Sequence, residues 1–253
     1  MLLWTDNEIP HHSGAADFEP YLEMHAVEGA RLGVVICPGG AYFGRSAHEG
    51  TDYARWLNTI GVSAAVLEYR VYPSRAPAQI ADAQRAIRLA RAVLSQSGAE
   101  KIGVMGSSAG GHLTATASVH FGKDFYPPLD TIDRLSARPD FSILCYPVID
   151  MGVPSFTRKN LLGDTPSEEA QVFYSPHLHV TKDAPPTFLW HTAADEGVSA
   201  ANSMLYAEAL VRYGIPCELH IYPEGPHGMG LAQDDPYVGQ WTRALERWLK
   251  THV

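Results

Sequence analysis

Long apolar segments are missing from this 253-residue chain. No run of about 18 apolar residues occurs, so we expect no segment that crosses a membrane. Residues 1–8 also lack the basic start and the apolar stretch of a signal peptide. Together these absences predict a cytoplasmic protein that has no membrane partner.

Basic stretches and linkers are missing too. The chain has 28 acidic and 19 basic residues, a formal net charge of -9, and no basic stripe that would face a phosphate backbone. A nucleic-acid partner is therefore not expected. No Pro/Ser-rich linker or charge run divides the sequence, which favours a single domain over residues 1–253.

Cysteine is scarce, and its few positions form no metal-binding pattern. Cys37, Cys145 and Cys217 make no CxxC pair and no Cys/His spacing of the kind that holds a metal ion. Each lies in or beside an apolar segment typical of a strand. We therefore expect buried, reduced thiols and no metal site.

The chain does contain a regular alternation of strand-like and helix-like segments. Apolar runs typical of buried strands lie at 32–37, 62–67, 101–105, 141–146, 186–190 and 218–222. Helical patterns separate them at 51–60, 78–96 and 111–119, and a last one carries Trp241 to Leu249. The alternation predicts an α/β fold with a mainly parallel sheet and helices on both faces. We also expect an antiparallel edge strand near 21–27 and a small cap at about 150–185, because loops of that length are usually functional.

The helix predicted over 78–96 has the clearest period in the chain. Its apolar positions recur at spacings of three and four: Ile80, Ala83, Ile87, Ala90 and Leu94. Arg85, Arg88 and Arg91 fall on the other side. We expect that arginine row to be a solvated face.

The segment Gly106-Ser107-Ser108-Ala109-Gly110 joins a predicted strand to a predicted helix. A serine hydroxyl becomes an effective nucleophile only near a base and near N–H donors for the oxyanion. A sharp strand-to-helix turn presents the central serine in this way, and the flanking glycines let strand and helix pass closely. Ser108 is therefore the candidate nucleophile; a Gly-rich turn without chemistry is the alternative.

Such a serine needs an acid later in the chain, in the loop after a strand. Asp195 follows the strand that ends at Trp190 and is the preferred candidate. Asp150 remains an alternative because it follows the preceding strand. Glu196 also remains an alternative because it adjoins Asp195.

The third requirement is a histidine after the acid. His227 lies between glycines in the loop after the last predicted strand, which gives the imidazole room to reach the serine. His220 falls inside that strand and His252 lies in the terminal tail. The required chain order of serine, acid and histidine therefore selects His227.

A glycine-rich loop follows the first buried strand, where hydrolases of this type place donors for the oxyanion. Its sequence is Cys37-Pro38-Gly39-Gly40-Ala41-Tyr42. We expect the backbone N–H groups of Gly40 and Ala41 to join that of Ala109, the residue after the nucleophile. With this loop, every element of an ester-hydrolysing site occurs in the expected order.

These residues, together with segments 47–50, 67–71, 107–113 and 185–192, resemble the bacterial α/β-hydrolases of the acetyl xylan esterase and feruloyl esterase-like group. The resemblance runs from about residue 32 to residue 231. It implies an α/β-hydrolase fold and an esterase that takes a small-molecule ester. Its substrates would carry short acyl groups, acetyl above all, on sugars or xylo-oligosaccharides, and no metal or organic cofactor would be needed.

Two positions depart from that group. Pro38 stands where related lipases carry histidine, and Ala41 stands where the oxyanion loop often has a third glycine. We expect Ala41 to have φ below zero, because only glycine adopts positive φ freely, and its methyl group to narrow the acyl pocket. Two other functions remain open: an amidase or peptidase with the same three residues, and a non-catalytic binding protein on a hydrolase scaffold.

Overall fold

The computed structural model describes residues 1–4, 9–12 and 18–253, so residues 5–8 of the segment considered for a signal peptide lie outside it. Within the described residues, seven strands form one sheet. They are β1 (Tyr21–His25), β2 (Leu32–Cys37), β3 (Ser63–Glu68), β4 (Lys101–Ser107), β5 (Ser142–Cys145), β6 (Thr187–Thr192) and β7 (Cys217–Tyr222). Their order across the sheet is β1-β3-β2-β4-β5-β6-β7.

Only the β1–β3 pair of this sheet is antiparallel, and the other neighbours are parallel. The mainly parallel sheet and its antiparallel edge strand are therefore confirmed. The central strands are buried on both faces, as their continuous apolar runs predict.

Helices cover both faces of the sheet, again as predicted. They are α1 (Thr51–Thr59), α2 (Ala78–Leu94), α3 (Ser108–His120), α4 (Phe156–Leu162), α5 (Glu168–Phe173), α6 (Ala201–Arg212) and α7 (Gln240–His252). Helices α1 and α7 pack against the face that carries Val34 and Ile36. Helices α2 and α3 pack against the opposite face, which carries Val35 and Cys37. None of the helices described is long and apolar enough to span a membrane.

The turn from β4 into α3 is tighter than the sequence pattern indicated, since α3 begins at Ser108 itself. A Cβ atom on Gly106 would lie 2.2 Å from the Gly110 carbonyl oxygen, and one on Gly110 would lie 2.0 Å from that of Cys37. These glycines therefore let β4, α3 and β2 approach more closely than any side chain allows. The Cys37 and Cys145 thiols are buried, as expected, and burial raises the pKa of both to about 12, but Cys217 at the start of the edge strand β7 is only partly buried.

The prediction of a solvated arginine face on α2 was wrong. Arg85 is only 3% exposed, and its guanidinium lies 2.6 Å from Asp130 Oδ2 and 2.9 Å from Asp133 Oδ1. Arg88 is also buried, whereas Arg91 stays partly exposed. The irregular segment after α3 folds back over this side of α2 and supplies the aspartates, which the period of the helix alone does not reveal.

Between β5 and β6 the chain forms α4, α5 and a single 3₁₀ turn at Pro176–Leu178, in the region predicted to be a cap. Asn160 of α4 donates a hydrogen bond from Nδ2 to the carbonyl oxygen of Ala41 at 2.8 Å. This inserted segment therefore contacts the glycine-rich loop after β2. Helix α6, which follows β6, was not predicted from the sequence.

Candidate active site

Ser108 occupies the tip of the turn between β4 and α3. Its φ of 52° lies in the left-handed region, which a non-glycine residue adopts only at a cost in energy. Its backbone carbonyl accepts a hydrogen bond from Val148 at 3.1 Å, which helps to hold this conformation. The residue is 8% exposed, so the hydroxyl lies at the surface of an otherwise buried turn.

The structure brings Ser108, His227 and Asp195 together. Ser108 Oγ lies 2.8 Å from His227 Nε2, and His227 Nδ1 lies 2.6 Å from Asp195 Oδ2. A carboxylate at Nδ1 favours the tautomer in which that nitrogen carries the proton. Nε2 then has a free lone pair directed at the serine hydroxyl, which is the arrangement that proton removal requires.

Asp195 is held ionised by its surroundings. Its Oδ1 accepts hydrogen bonds from the backbone N–H groups of Gly197 and Val198, both at 2.8 Å, and His191 Nε2 lies 3.3 Å from Oδ2. Burial acts to raise the pKa of the Asp195 carboxyl, but the hydrogen bonds from His191, His227 and Val198 outweigh it and hold the pKa well below its usual range. The His191 imidazole thus helps to fix the acid.

The two alternative acids lie elsewhere. Asp150 Oδ1 accepts a hydrogen bond from the Gly152 backbone N–H at 2.7 Å and so closes its own local turn. Glu196 is exposed, in contrast to the adjoining Asp195. Among the contacts of the described residues, neither carboxyl group reaches His227.

The expectation of a negative φ at Ala41 was wrong. Ala41 has φ of 53° and Tyr42 has φ of 55°, so both lie in the left-handed region. The surrounding bonds impose this shape: Asn160 holds the Ala41 carbonyl, and the Phe43 and Gly44 N–H groups bond to the Gly40 carbonyl at 2.9 and 3.0 Å. The oxyanion loop is therefore a strained turn that its neighbours fix.

The predicted oxyanion donors are three backbone N–H groups. Within the described part of the chain, the backbone N–H groups of Gly40, Ala41 and Ala109 have no hydrogen-bond acceptor. That of Ala109 lies in the first turn of α3, where unpaired N–H groups and the helix dipole favour negative charge. The role of all three N–H groups as oxyanion donors beside Ser108 stays a prediction.

Sequence reasoning missed three buried side chains beneath the site, those of Glu49, Tyr53 and Tyr146. The Tyr53 hydroxyl lies 3.0 Å from Ser107 Oγ and 3.3 Å from the Tyr146 hydroxyl. No sequence motif pairs these residues, because α1 supplies Tyr53 and the end of β5 leads to Tyr146. Only the folded sheet brings them together.

A cluster of exposed rings borders the oxyanion loop, and we call Phe43, Tyr72 and Phe156 the aromatic patch. Phe43 stacks on Tyr72 at 6.2 Å between ring centroids and lies 5.8 Å from Phe156. Their exposed fractions are 60%, 43% and 58%. Phe43 follows Ala41 by two residues, so the patch is continuous with the oxyanion loop.

Proteins with this sheet, and with a serine, an acid and a histidine in that chain order after parallel strands, are α/β-hydrolases. The chain belongs to the BD-FAE family, whose model matches residues 21–210. The matched segment includes Ser108 and Asp195 and ends before His227.

Three known proteins are similar to this chain. An acetyl ester-xyloside bifunctional hydrolase from Caldicellulosiruptor lactoaceticus has 41% sequence identity and a TM-score of 0.94, over 99% of this chain and 95% of that one. An acetylxylan esterase from Xylanibacter ruminicola is 31% identical over 228 residues, 86% of this chain and 45% of that protein. Endo-1,4-beta-xylanase B from Butyrivibrio fibrisolvens is 32% identical over 249 residues, 94% of this chain and 39% of that protein. The chain spans less than half the length of these two curated relatives.

Proposed function

We propose that this protein is a serine carboxylic ester hydrolase that removes acetyl and other short acyl groups from acylated sugars, including xylo-oligosaccharides. The observation that carries the proposal is the continuous set of contacts from Ser108 Oγ through His227 to Asp195 Oδ2, at 2.8 and 2.6 Å. Similarity to the acetylxylan esterase and to the acetyl ester-xyloside hydrolase supports the choice of substrate.

The first half of the reaction forms an acyl-enzyme. His227 Nε2 takes the hydroxyl proton as Ser108 Oγ attacks the ester carbonyl carbon, and the carbonyl oxygen becomes an oxyanion. The N–H groups of Gly40, Ala41 and Ala109 bind that oxyanion. The imidazolium of His227, stabilised by the ionised Asp195, then gives its proton to the departing sugar oxygen.

The second half returns the free enzyme. His227 removes a proton from water, the resulting hydroxide attacks the acyl carbon, and the same N–H groups bind the new oxyanion. The proton then passes back to Ser108 Oγ as the carboxylic acid leaves. No group outside the described site is needed to balance the reaction.

The aromatic patch favours a sugar as the alcohol part of the ester. The C–H faces of a pyranose ring are apolar and pack well on exposed aromatic rings, whereas its hydroxyl groups stay in water. Phe43 places such a surface beside the oxyanion loop, on the side that α4 borders. A sugar whose acetyl group reaches Ser108 can therefore rest on the patch.

The proposal is tested by comparing two neighbouring serines. Ser108→Ala should fold normally and lose about 10⁶ in kcat, the scale observed when a triad serine is removed. Ser107→Ala removes a buried hydroxyl that bonds only within the interior, and it should keep most of its turnover. Similar losses in both variants would remove Ser108 as the nucleophile.

A substrate panel tests the chemistry itself. The wild-type protein should react covalently with a fluorophosphonate at Ser108, which a non-catalytic binding protein would not do. It should hydrolyse acetylated xylo-oligosaccharides and prefer acetyl over octanoyl nitrophenyl esters. Faster cleavage of aryl amides than of the matching esters would replace the esterase by an amidase.

A further inference from the structure

Glu49 is a buried carboxylate that receives neutral donors. It is 3% exposed and lies just before α1. Its Oε2 accepts the backbone N–H of Gly39 at 2.9 Å, and its Oε1 accepts the hydroxyl of Tyr146 at 2.6 Å. Burying a carboxylate costs free energy unless each oxygen has a hydrogen-bond donor. The folded protein therefore favours the backbone positions that keep both of these bonds.

Gly39 belongs to the oxyanion loop. It immediately precedes Gly40, and a Cβ atom built on it would lie 2.5 Å from Glu49 Oε2 and 3.1 Å from Ser108 Cβ. Gly39 is therefore packed between the carboxylate and the nucleophile. A shift of Glu49 would move the backbone that presents the Gly40 and Ala41 donors.

Tyr146 reaches the loop that carries His227. Its hydroxyl oxygen accepts the backbone N–H of Gly230 at 3.0 Å, and its ring packs edge-on against the His227 imidazole at 5.2 Å between centroids. The backbone φ of Tyr146 is 36°, a strained value that persists because several contacts hold this residue in place. His48 Nε2 lies 4.0 Å from Glu49 Oε1 and contacts the Gly228 carbonyl of the same loop at 2.9 Å.

One carboxylate thus joins two loops that are far apart in the sequence. We propose that Glu49 and Tyr146 form a positioning pair that fixes the oxyanion loop and the histidine loop relative to Ser108, an inference that rests on the proposed function. Neither side chain touches the three reacting groups through a polar contact. The pair acts by holding Gly39 and Gly230, so that the oxyanion donors and the imidazole stay in register with each other.

The expected effect is on the rate rather than on binding of the substrate. Misplacement of catalytic groups by about 1 Å can cost about 10²-fold in rate. Loosening the pair should therefore lower kcat by roughly 10- to 100-fold, with KM for a small acetyl ester nearly unchanged.

The test uses two conservative variants and a matched control. Glu49→Gln keeps one acceptor and loses the other, and Tyr146→Phe removes a single hydroxyl. Asp82→Asn is the control, because Asp82 is also a fully buried carboxylate but bonds to Arg70 and Trp4 rather than to the site loops. The readouts are kcat and KM on a small acetyl ester, the rate of fluorophosphonate labelling, and backbone hydrogen exchange in segments 38–44 and 226–231.

We expect both site variants to fold, to label more slowly by the same factor as kcat falls, and to exchange faster in both segments. Asp82→Asn should leave the labelling rate of the folded protein unchanged, and it should not speed exchange in the two segments more than in the sheet. If Glu49→Gln does not fold, Tyr146→Phe provides the same measurements.

Unchanged exchange in the histidine-loop segment, or a wild-type labelling rate in Tyr146→Phe, would overturn the positioning role. A wild-type protein that does not label would instead reject the proposed function. Hydrogen exchange shows whether the pair couples the two loops even if the protein does not react with the fluorophosphonate.

Discussion

Glu49 and Asp82 are both buried carboxylates, and they are neutralised in opposite ways. Asp82 is fully buried and receives the guanidinium of Arg70, at 2.7 Å to Oδ1 and 2.9 Å to Oδ2, together with the indole N–H of Trp4 at 2.9 Å. Glu49 receives a peptide N–H and a phenol. The Asp82 pair brings a guanidinium against the carboxylate and ties the N-terminal segment to α2, whereas the two hydrogen bonds of Glu49 come from neutral groups of two loops.

The backbone shows the same contrast. Ala41, Tyr42, Ser108 and Tyr146 make up four of the six non-glycine residues with positive φ that the structure describes. All four lie at or beside the candidate site, whereas Asp82 lies within the regular helix α2. Strain of this kind persists only where surrounding contacts over-determine it. We therefore expect substitutions at the site to change rates and substitutions around Asp82 to change stability.

The largest expected effect on the site side concerns the acid. Asp195→Asn should lower kcat by about 10⁴, because an amide at Nδ1 stabilises the wrong tautomer of His227. Asp150→Asn is the matched control and should cost far less, since the Asp150 side chain accepts its hydrogen bond from Gly152 in its own turn. Steady-state kinetics of the two variants measure the two losses in kcat. A larger loss in Asp150→Asn than in Asp195→Asn would identify Asp150, after β5, as the acid.

On the scaffold side, Asp82→Asn leaves the Arg70 guanidinium buried and without its counter-charge. Removing one partner of a buried ion pair costs about 3–5 kcal/mol. We expect the free energy of unfolding, from urea titration, to fall by that amount while kcat of the folded protein stays the same. A loss of kcat without a loss of stability would erase the distinction between the two carboxylates.

A smaller effect on the free energy of unfolding is expected at low pH. The hydrogen bond from Arg85 lowers the pKa of Asp130 to about 2, below the value of about 3.9 for an unfolded aspartate. The unfolded chain therefore binds this proton first, so the stabilisation is complete above about pH 4 and disappears as the pH falls toward about 2.

Unfolding titrations between these pH values should show a shallower loss for Arg85→Gln than for the wild type. Arg31→Gln is the control, because the Arg31–Glu100 pair is exposed and water screens it. Equal slopes in the wild type and in Arg85→Gln would show that this pair does not contribute to acid sensitivity.

The smallest effect concerns the aromatic patch. Aromatic contacts are worth roughly 0.5–1.5 kcal/mol each, so Phe43→Ala should raise KM for acetylated xylo-oligosaccharides by about 2- to 10-fold. The kcat/KM for methyl acetate, which is too small to reach the patch, should not change. Tyr213→Ala is the control, since Tyr213 is 52% exposed and follows α6 at the opposite edge of the sheet. An equal loss of kcat/KM with methyl acetate would show that Phe43 affects the chemical step rather than the binding of the sugar.

Most strands of the sheet and the three candidate reacting residues could be predicted from the sequence, because the chemistry follows from the topology of the sheet. Ser108, Asp195 and His227 follow the parallel strands β4, β6 and β7, and the carboxyl ends of parallel strands meet at one edge. The Glu49–Tyr146 contact joins residues 97 positions apart in the chain, and no local pattern encodes it.

The errors have a related origin. The arginine row of α2 was predicted to be solvated because the segment that covers Arg85 has no hydrophobic period. Its sequence therefore does not indicate which surface it packs on. Ala41 was misjudged because its φ is set by bonds from α4 and from its own turn rather than by its residue type. In both cases the deciding contacts come from segments without a regular hydrophobic period.

The strand order has a consequence for heating. His227 follows β7, a rim strand with one neighbour, β6, and every residue of β7 is at least partly exposed. Ser108 follows β4, which lies inside the sheet and is buried except for its first residue. Segments with few buried contacts open first, at a lower free energy than the rest of the molecule. We expect warming to detach the last strand before the centre melts, so that turnover stops at a temperature where most of the sheet is intact, and cooling restores it as β7 pairs again with β6.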